Sequence, residues 1–430
     1  MKKLASEYGM LLVLVALCAL FSILTIRERS PTGSSGGTLA FDLVRSEFEP
    51  GARILIVAGK SADDRQFVQT LETELVKADY EVLESINGTA ADVKRSMNRF
   101  ESAGTTIDAI ACPRDVALWG VFDDLEKPVR LSPSKTRSSV FLSRSNLLNV
   151  ASQISVIAVI AIGMTMVIIT AGIDLSVGSL IALSAVVSTL LIQNVGGGVN
   201  ASVLAMIGCS LAGILCCALV GTFSGGMVTA FRVPPFIVTL AMMLVARGTA
   251  SLLTGGESVS KIPDSFTWLG VQASLFGLPN SVVLMLVLYV IAHVVMSRTV
   301  LGRYLYAVGG NPEAARLSGV PVKRVILFAY LMSGLLAGLG GVMMASQLKS
   351  GSPTYGGMYE LYVIAAVVVG GTSLAGGEGK IFGTLIGAFI IAVIQNGMNL
   401  LKIESFTQDV VLGGVILAAV LLDTLKHRRG

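Results

Sequence analysis

Polar side chains that could do chemistry stand inside segments that are otherwise apolar or rich in glycine. The foremost is Asp174, in the segment Thr170–Ser179 between two long apolar runs. A carboxylate in apolar surroundings is costly unless it has a partner or reaches water. Gly172 can end one helix, and Asp174 or Ser176 can cap the next. The segment predicts either a capped tight loop or a polar functional site formed by Asp174, Ser176, Gly178 and Ser179.

A second polar set lies in the apolar run 381–401 and consists of Gln395, Asn396 and Asn399. Amide side chains in a buried helix hydrogen-bond to a neighbouring helix or face a polar passage between helices. Both interpretations stay open from the sequence.

Histidine and cysteine, the usual metal ligands and nucleophiles, form no constellation in this chain. His293 lies in an apolar run and His427 in a basic cluster. The five cysteines are scattered, and only Cys112 lies in a polar region. The sequence therefore predicts no metal site, no disulfide framework, no cofactor-binding motif and no catalytic residue.

The composition indicates a membrane protein. Hydrophobic residues make up 53% of the 430 residues and charged residues only 14%, against about 25% in a soluble domain. Of the 60 charged residues, 34 lie between Arg27 and Arg144. The net charge of +4 is too small to suggest a nucleic-acid partner. One polar window thus interrupts a chain suited to lipid.

Ten apolar runs are long enough, or nearly so, to cross a bilayer. The first covers Met10–Ile26 behind Lys2 and Lys3, and we interpret it as an uncleaved anchor rather than a cleaved signal sequence. The others cover 150–171, 176–193, 201–222, 235–253, 281–297, 325–345, 360–371, 381–401 and 409–423.

Basic residues fix the expected orientation. Counting from a cytoplasmic N-terminus places two basic clusters inside, as the positive-inside rule requires. These are the loop with Arg298, Arg303, Arg316, Lys323 and Arg324, and the tail with Lys426, Arg428 and Arg429. Both termini are then cytoplasmic and the polar window is periplasmic.

The polar window has the pattern of an α/β fold. Residues 53–59, 80–83 and 107–112 resemble strands, and 63–78 and 90–103 resemble amphipathic helices. Strand–helix alternation favours a small parallel sheet. Pro31–Gly37 has the composition of a flexible linker. The arrangement resembles one lobe of the periplasmic sugar-binding proteins.

The loop after the run 281–297 predicts a short exposed helix. Asn311 can cap it, Pro312 suits its first turn, Glu313 favours the positive end of its dipole, and Gly319 can end it. Such a surface helix between two spans is suited to bind in a cleft of a cytoplasmic protein and to transmit that protein's motion to the spans.

The chain has no visible ATP site. The segment Gly370–Lys380 is rich in glycine, but a phosphate-binding loop needs glycine where Leu374 stands and serine or threonine where Ile381 stands. Any use of ATP must therefore come from a separate protein.

Three long segments, Gly163–Leu183, Gly302–Val320 and Ala365–Ala388, together resemble the ribose/xylose/galactose-type permeases of ABC importers, most closely the ribose permeases. The resemblance implies a mainly α polytopic fold of about ten transmembrane helices in a bacterial inner membrane. It also implies a permease homodimer, a cytoplasmic ATPase, a periplasmic sugar-binding protein and a monosaccharide substrate. The positions that match the family's ATPase-coupling segment are Gly309, Asn311, Ala314, Ala315 and Gly319, with Pro312 and Glu313 between them.

The resemblance covers about 140–425 and divides the chain into three parts. We expect a first helix at 1–30, a periplasmic α/β insert at 38–135, and a permease domain at 145–425. Family members usually have only a short connection after the first helix, so the insert is a departure.

Two other functions compete with that of an importer. An ion-coupled secondary transporter would need buried carboxylates, and Asp174, Glu360 and Asp423 each lie near a predicted helix end. A membrane sensor could use the periplasmic lobe, but the sequence shows no kinase or other output segment.

Overall fold

The structure, a computed structural model, describes residues 2–122, 128–275 and 277–427, without the side chains of 2–8, Arg29 and 422–427. The chain forms two compact units. We call Ile26–Val140 the lobe, and residues 1–25 with 141–430 the helical unit. Arg428 and Arg429, which the orientation argument used, lie outside the described residues.

The lobe follows the first helix, α1 at Lys2–Leu24. The elements of the lobe itself are β1 Ile26–Arg29, α2 Gly33–Glu47, β2 Arg53–Ala58, α3 Ala62–Lys77, β3 Glu81–Asn87, α4 Ala90–Ser102, β4 Ala109–Ala111, β5 Val129–Leu131 and β6 Thr136–Ser139. Four strands form one sheet in the order β3-β2-β4-β5, and every neighbouring pair is parallel. The predicted parallel sheet is confirmed, with β5 as an additional strand.

The lobe has a core on each face of its sheet. Ile54 and Ile56 of β2 pack with α2 and α3, while Leu55 and Val57 pack with α4 on the opposite face. All four are fully buried, as expected for a parallel strand covered on both sides. The alternating contacts follow from the two-residue period of a strand.

The linker expected at Pro31–Gly37 is wrong, because α2 already begins at Gly33. Gly36 and Gly37 lie against α3: a Cβ at Gly37 would stand 2.7 Å from the Phe67 carbonyl oxygen. The glycines allow two helix backbones to approach closely rather than making the chain flexible. Their composition alone could not distinguish these roles.

The helical unit consists of eleven further helices in the described residues. They are α5 Arg144–Ile169, α6 Val177–Asn194, α7 Val203–Phe231, α8 Pro235–Thr254, α9 Asn280–Arg298, α10 Val300–Gly310, α11 Pro312–Leu317, α12 Val322–Leu348, α13 Tyr359–Val369, α14 Ile381–Leu400 and α15 Ser405–His427. Seven of these are long and apolar enough to cross a membrane, namely α5, α6, α7, α8, α9, α12 and α14. The chain is therefore mainly helical and polytopic.

Helix α5 forms the centre of the helical unit. It is buried along most of its length and packs against α9, α12, α13 and α14. Helices α7 and α8 expose many of their apolar side chains instead. The central helix is thus enclosed by protein, whereas these two present surfaces suited to lipid or to another protein.

Helix α13 is too short to cross a bilayer by itself. Its 11 residues rise about 17 Å, roughly half of a hydrocarbon core of about 30 Å. The preceding residues 350–358 are non-helical and lie along α6, where a Cβ at Gly351 or Gly356 would overlap the α6 backbone. The apolar run expected at 360–371 is therefore a half-length helix continued by an irregular segment.

Helix α10 was not predicted. The sequence indicated a loop with one short helix between two spans, but Val300–Gly310 forms a helix before that short helix begins. Gly302, Leu305, Val308 and Gly309 are its buried side. Three glycines and one arginine in the segment concealed this amphipathic pattern, because two of the glycines stand at buried positions.

Gly37→Ala is expected to destabilise the lobe by about 1–3 kcal/mol, because the new methyl group meets the α3 backbone. Hydrogen exchange of the β2 and α3 amides in the full chain measures the effect. Thr38→Ala is the matched control, since Thr38 is exposed on the same helix. Equal protection in both variants would contradict close packing of α2 on α3.

Candidate functional site

Asp174 is fully buried in the non-helical segment 170–176 between α5 and α6. One carboxylate oxygen accepts hydrogen bonds from the Ser176 backbone N–H at 3.0 Å and the Ser176 hydroxyl at 2.6 Å. The other accepts from the Ser333 hydroxyl at 2.7 Å. Ser333 lies near the middle of α12. Asp174 therefore fastens an irregular segment to the middle of α12.

The capping interpretation of this segment needs two corrections. Ser176 is the N-cap residue of α6, but its side chain makes no capping hydrogen bond. Asp174 instead closes a local turn by accepting from the residue two positions later. Both side chains stabilise the loop rather than the first turn of α6.

The end of α5 also differs from the prediction. The left-handed residue is Ala171, with φ of 59°, and not Gly172. Gly172 donates its N–H to the Val167 carbonyl at 3.0 Å, which closes the helix end. A Cβ at Gly172 would stand 2.6 Å from the Tyr330 hydroxyl oxygen. Glycine is needed there for close approach to α12.

Gly178 and Ser179 stand where the two non-helical segments meet. Gly178 packs against Gly356 and the carboxylate of Glu360, and a Cβ there would overlap both. Ser179 accepts a hydrogen bond from Arg247 Nε of α8 at 3.3 Å. Sequence reasoning singled out the α6 residues but missed Arg247, because one arginine in a long apolar helix carries no positional signal.

The second predicted set lines a cavity of about 370 Å³. This volume falls in the range of small-molecule sites. Polar lining residues come from α5, α12, α13, α14 and α15: Gln153, Gln347, Tyr359, Gln395, Asn396, Asn399 and Gln408. None of the lining residues is acidic or basic. The cavity suits a neutral ligand with several hydrogen-bonding groups.

Some of the cavity amides already have partners. Asn396 and Asn146 exchange two hydrogen bonds of 3.0 Å, and Asn399 accepts from Gln408 at 2.8 Å. The Gln395 amide is half-buried and makes no side-chain hydrogen bond within the described residues. The structure thus shows helix pairing at Asn396, while a role of Gln395 in a polar passage stays a prediction.

The sequence did not identify Gln153, Gln347 and Gln408 as cavity residues. They lie on three helices that are far apart along the chain, and each is a single amide near the end of an apolar run. The only signal in the sequence for a cavity at these residues was the position of each amide close to the end of an apolar run. Tertiary packing alone brings them together.

The predicted short helix is α11, and its caps are as expected. Asn311 Oδ1 accepts from the N–H groups of Glu313 and Ala314, both at 3.0 Å, and Pro312 is the first helical residue. Gly319 has φ of 84° just after the helix. Such caps allow one short helix to keep its shape on the surface.

Helix α11 is exposed apart from Ala315. Leu317 is 80% exposed, an unusual position for a leucine in so short a helix. Glu313 and Arg316 form an ion pair of 2.6 Å, and this hydrogen bond holds the pKa of Glu313 below its usual range. An exposed pair of this kind adds little to stability. The helix presents a small apolar surface with a satisfied backbone.

Behind α11, glycines form a tight junction of three segments. A Cβ at Gly309 would overlap the Ile169 carbonyl of α5 and come within 2.5 Å of the Gly377 nitrogen. Gly377 donates its N–H to that same carbonyl at 2.9 Å. Tyr306 of α10 donates its hydroxyl to the Gly379 carbonyl at 2.8 Å. We call these contacts the glycine junction; it joins α10, the end of α5 and the segment 370–380.

Comparisons with known proteins cover the helical unit. Residues 146–420 match a family described as branched-chain amino acid transport system / permease component. The chain is 44% identical to the ribose import permease of Escherichia coli K12 over 296 residues, which cover 68% of this chain and 89% of that protein.

Two further relatives agree with this result. The ribose import permease of Bacillus subtilis 168 is 44% identical over 66% of this chain and 87% of its own length. The xylose transport system permease of Escherichia coli K12 is 33% identical over 68% of this chain and 88% of its own length. No solved structure matches the chain.

Gly309→Ala is expected to destabilise the helical unit by about 1–3 kcal/mol, because the methyl group displaces the Ile169 carbonyl. The measurement is hydrogen exchange of the Gly377 amide, which donates its hydrogen bond to that carbonyl and should exchange faster in the variant. In Gly310→Ala, the control, the new methyl group has no atom within 4 Å. Similar exchange in both variants would be inconsistent with the glycine junction.

Proposed function

The chain belongs to the family of branched-chain amino acid transport system permease components, and from this premise we propose that it forms the membrane path of an ATP-driven monosaccharide importer. The amide-lined cavity is the observation that carries the proposal beyond the family. Its lining offers donors and acceptors from several helices and no charge. A monosaccharide is a neutral ligand whose hydroxyl groups each donate and accept, so it matches this lining.

The path runs past the cavity and the two non-helical segments. Gln395, Asn396 and Asn399 contact the sugar on the periplasmic side, and Asp174, Ser176, Gly178 and Ser179 act as the gate below. Irregular backbone inside a membrane protein is tolerated where it is buried in protein or lines a water-filled space. Discontinuous helices near the midplane serve transport in other families as well.

Ten helices cross the membrane in this proposal. They are the seven long helices with α1, α13 and α15, and α13 completes its crossing through residues 350–358. The N- and C-termini are cytoplasmic. The lobe, as the α/β insert between α1 and α5, is periplasmic in this proposal, and the expected division of the chain is a first helix at 1–30, an insert at 38–135 and a permease domain at 145–425.

Two copies of the permease act with a dimeric cytoplasmic ATPase and a periplasmic sugar-binding protein. The ATPase hydrolyses ATP, and the permease itself makes or breaks no covalent bond. Helix α11 seats in a cleft of the ATPase through the exposed residues Asn311, Pro312, Glu313, Ala314 and Gly319, while the buried Gly309 and Ala315 attach it to the helical unit. The exposed Leu317 supports this contact, because an apolar side chain at the tip of a surface helix gains by burial.

Alternating access then follows from the contacts behind α11. ATP-driven closure of the ATPase moves α11 and α10, and the glycine junction transfers that motion to the end of α5. Segment 170–176 begins at that end and is fastened to α12 by Asp174. A displacement at the cytoplasmic surface thereby reaches the middle of the path.

The relatives are the observation that disfavours ion coupling as an alternative. At Asp174, in addition, both carboxylate oxygens already accept hydrogen bonds from serines, so this residue is poorly suited to bind an ion. The relatives are permease components of importers, and no sensor output segment is evident in the sequence.

Changing Glu313→Lys and Ala314→Trp together should reduce sugar-stimulated ATPase activity of the reconstituted complex by at least about tenfold, corresponding to a loss of about 1.4 kcal/mol in docking. Val76→Trp, a bulky change at an exposed position of the lobe, is the control. Unchanged stimulation in the double variant would remove α11 from the coupling.

Gln395→Leu should lower sugar uptake into proteoliposomes by about threefold to tenfold, since one neutral hydrogen bond contributes about 0.5–1.5 kcal/mol. The variant keeps a similar side-chain size and should leave the thermal unfolding midpoint unchanged. Gln193→Leu, near the end of α6 and outside the cavity, should transport normally. If both variants transport equally well, the cavity is not on the sugar path.

A further inference from the structure

A cation and an anion share one patch in the interior of the membrane region. Arg247 of α8 hydrogen-bonds to Ser179, and Glu360 of α13 lies beside Gly178, the neighbouring residue on α6. The guanidinium is 4.0 Å from the position a Cβ would occupy at Gly357. We call Arg247, Glu360 and Ser179 the mid-depth patch.

The depth of the patch follows from the helices that carry it. Arg247 lies close to the middle of α8, which has 20 residues and is long enough to span. Glu360 is in the first turn of the half-length helix α13, so the depth of an irregular segment separates it from the surface. Both side chains thus lie within the hydrocarbon layer rather than at the headgroups.

Arg247 and Glu360 attract each other across the patch within one copy. Neither Arg247 nor Glu360 forms an ion pair with any residue whose side chain the structure describes. Both are half-buried, and exposed apolar side chains lie close to them along the chain, namely Leu244 of α8, Met358 just before α13 and Leu361 of α13. The patch therefore belongs to the surface of a single copy while standing at a depth where lipid tails would cover it.

Lipid is a poor occupant for such a surface. A charged side chain at the bilayer centre is costly, and such residues almost always face the bundle interior, a water-filled cavity or an opposite charge. Headgroups remain at the interface and do not reach this depth. A partner that supplies an opposite charge for each of the two groups satisfies both requirements.

A second copy of this chain supplies those charges by symmetry. In an interface with two-fold symmetry, if one residue contacts another across the axis, the reverse contact also forms. A patch with one cation and one anion is complementary to itself under that rotation. The apolar residues around it provide the desolvated surroundings in which a charge pair is strong.

We infer that the mid-depth patch is the contact between two copies of the permease, with Arg247 of each copy paired to Glu360 of the other. The inference rests on the proposed function, because it needs the chain to act as a dimer in a membrane. It adds the residues through which the copies recognise each other. The shared path then passes beside a site that neither copy completes alone.

Charge-reversed copies carrying two different affinity tags test the pairing. Arg247→Glu gives a copy with two acidic groups in the patch, and Glu360→Arg gives a copy with two basic groups. Each copy should associate poorly with itself. Co-expressed, they should form mixed dimers at least about tenfold above the statistical proportion, because both cross pairs are then opposite in charge. Sequential purification on the two tags measures that proportion.

The exposed ion pair of the lobe provides the matched control. Glu84 and Arg99 contact each other within one chain. Copies with Glu84→Arg and Arg99→Glu should mix in the statistical proportion. Statistical mixing of the Arg247 and Glu360 variants as well would overturn the inference and indicate a patch that faces water.

Disulfide formation provides a second measurement if a reversed copy fails to fold. A copy with Arg247→Cys should cross-link to a copy with Glu360→Cys, with the linked peptides identified by mass spectrometry. Leu252→Cys, an exposed position further along α8, should not link to Glu360→Cys. Linkage of Glu360→Cys to Leu252→Cys but not to Arg247→Cys would contradict the proposed pairing.

The result is separable from that of the sugar experiments. Charge-dependent dimers without sugar uptake would retain this interface and reject the proposed substrate. Sugar uptake by a chain whose variants mix statistically would retain the transport function and reject the interface.

Discussion

The requirement that buried polar groups be satisfied governs the interior of the helical unit. Segments 170–176 and 350–358 are non-helical, and their buried backbone groups cannot be left unpaired. Asp174 resolves part of this problem by accepting from Ser176 and Ser333. Close packing of Gly356 against Gly178 excludes solvent and lipid where the segments meet. The irregular segments keep their conformation because the neighbouring helices pack against them.

The same constraint joins the surface to the interior. The Ile169 carbonyl at the end of α5 lacks a partner within its own helix, and the Gly377 N–H satisfies it. Gly309 has to be a glycine for that contact to form, because any side chain would occupy the position of the carbonyl. Helix α11 follows directly after this junction. A continuous series of backbone contacts thus connects the start of α11 with the segment that holds Asp174.

Several local features could be predicted because they depend on neighbouring residues. The caps at Asn311 and Gly319 and the parallel strands of the lobe follow from short-range patterns, and all are present. The wrong predictions have one cause, which is that glycine serves several structural roles. Pro31–Gly37 indicated a linker and Gly172 a helix end, yet Gly37 and Gly172 serve close approach to another helix. No local pattern reports which distant backbone a glycine will meet.

The sequence by itself determined that this chain is a polytopic membrane protein and that a capped surface helix lies between two spans. These properties depend on composition, order and spacing along the chain. Only the tertiary structure assembled Gln153, Gln347, Gln395 and Gln408 around one cavity, and Arg247 and Glu360 into one patch. Their helices are distant in sequence, and apolar faces specify that helices pack without specifying which polar side chains will meet. Which polar side chains meet is determined when the helices pack together, because the few polar groups they carry must then form hydrogen bonds.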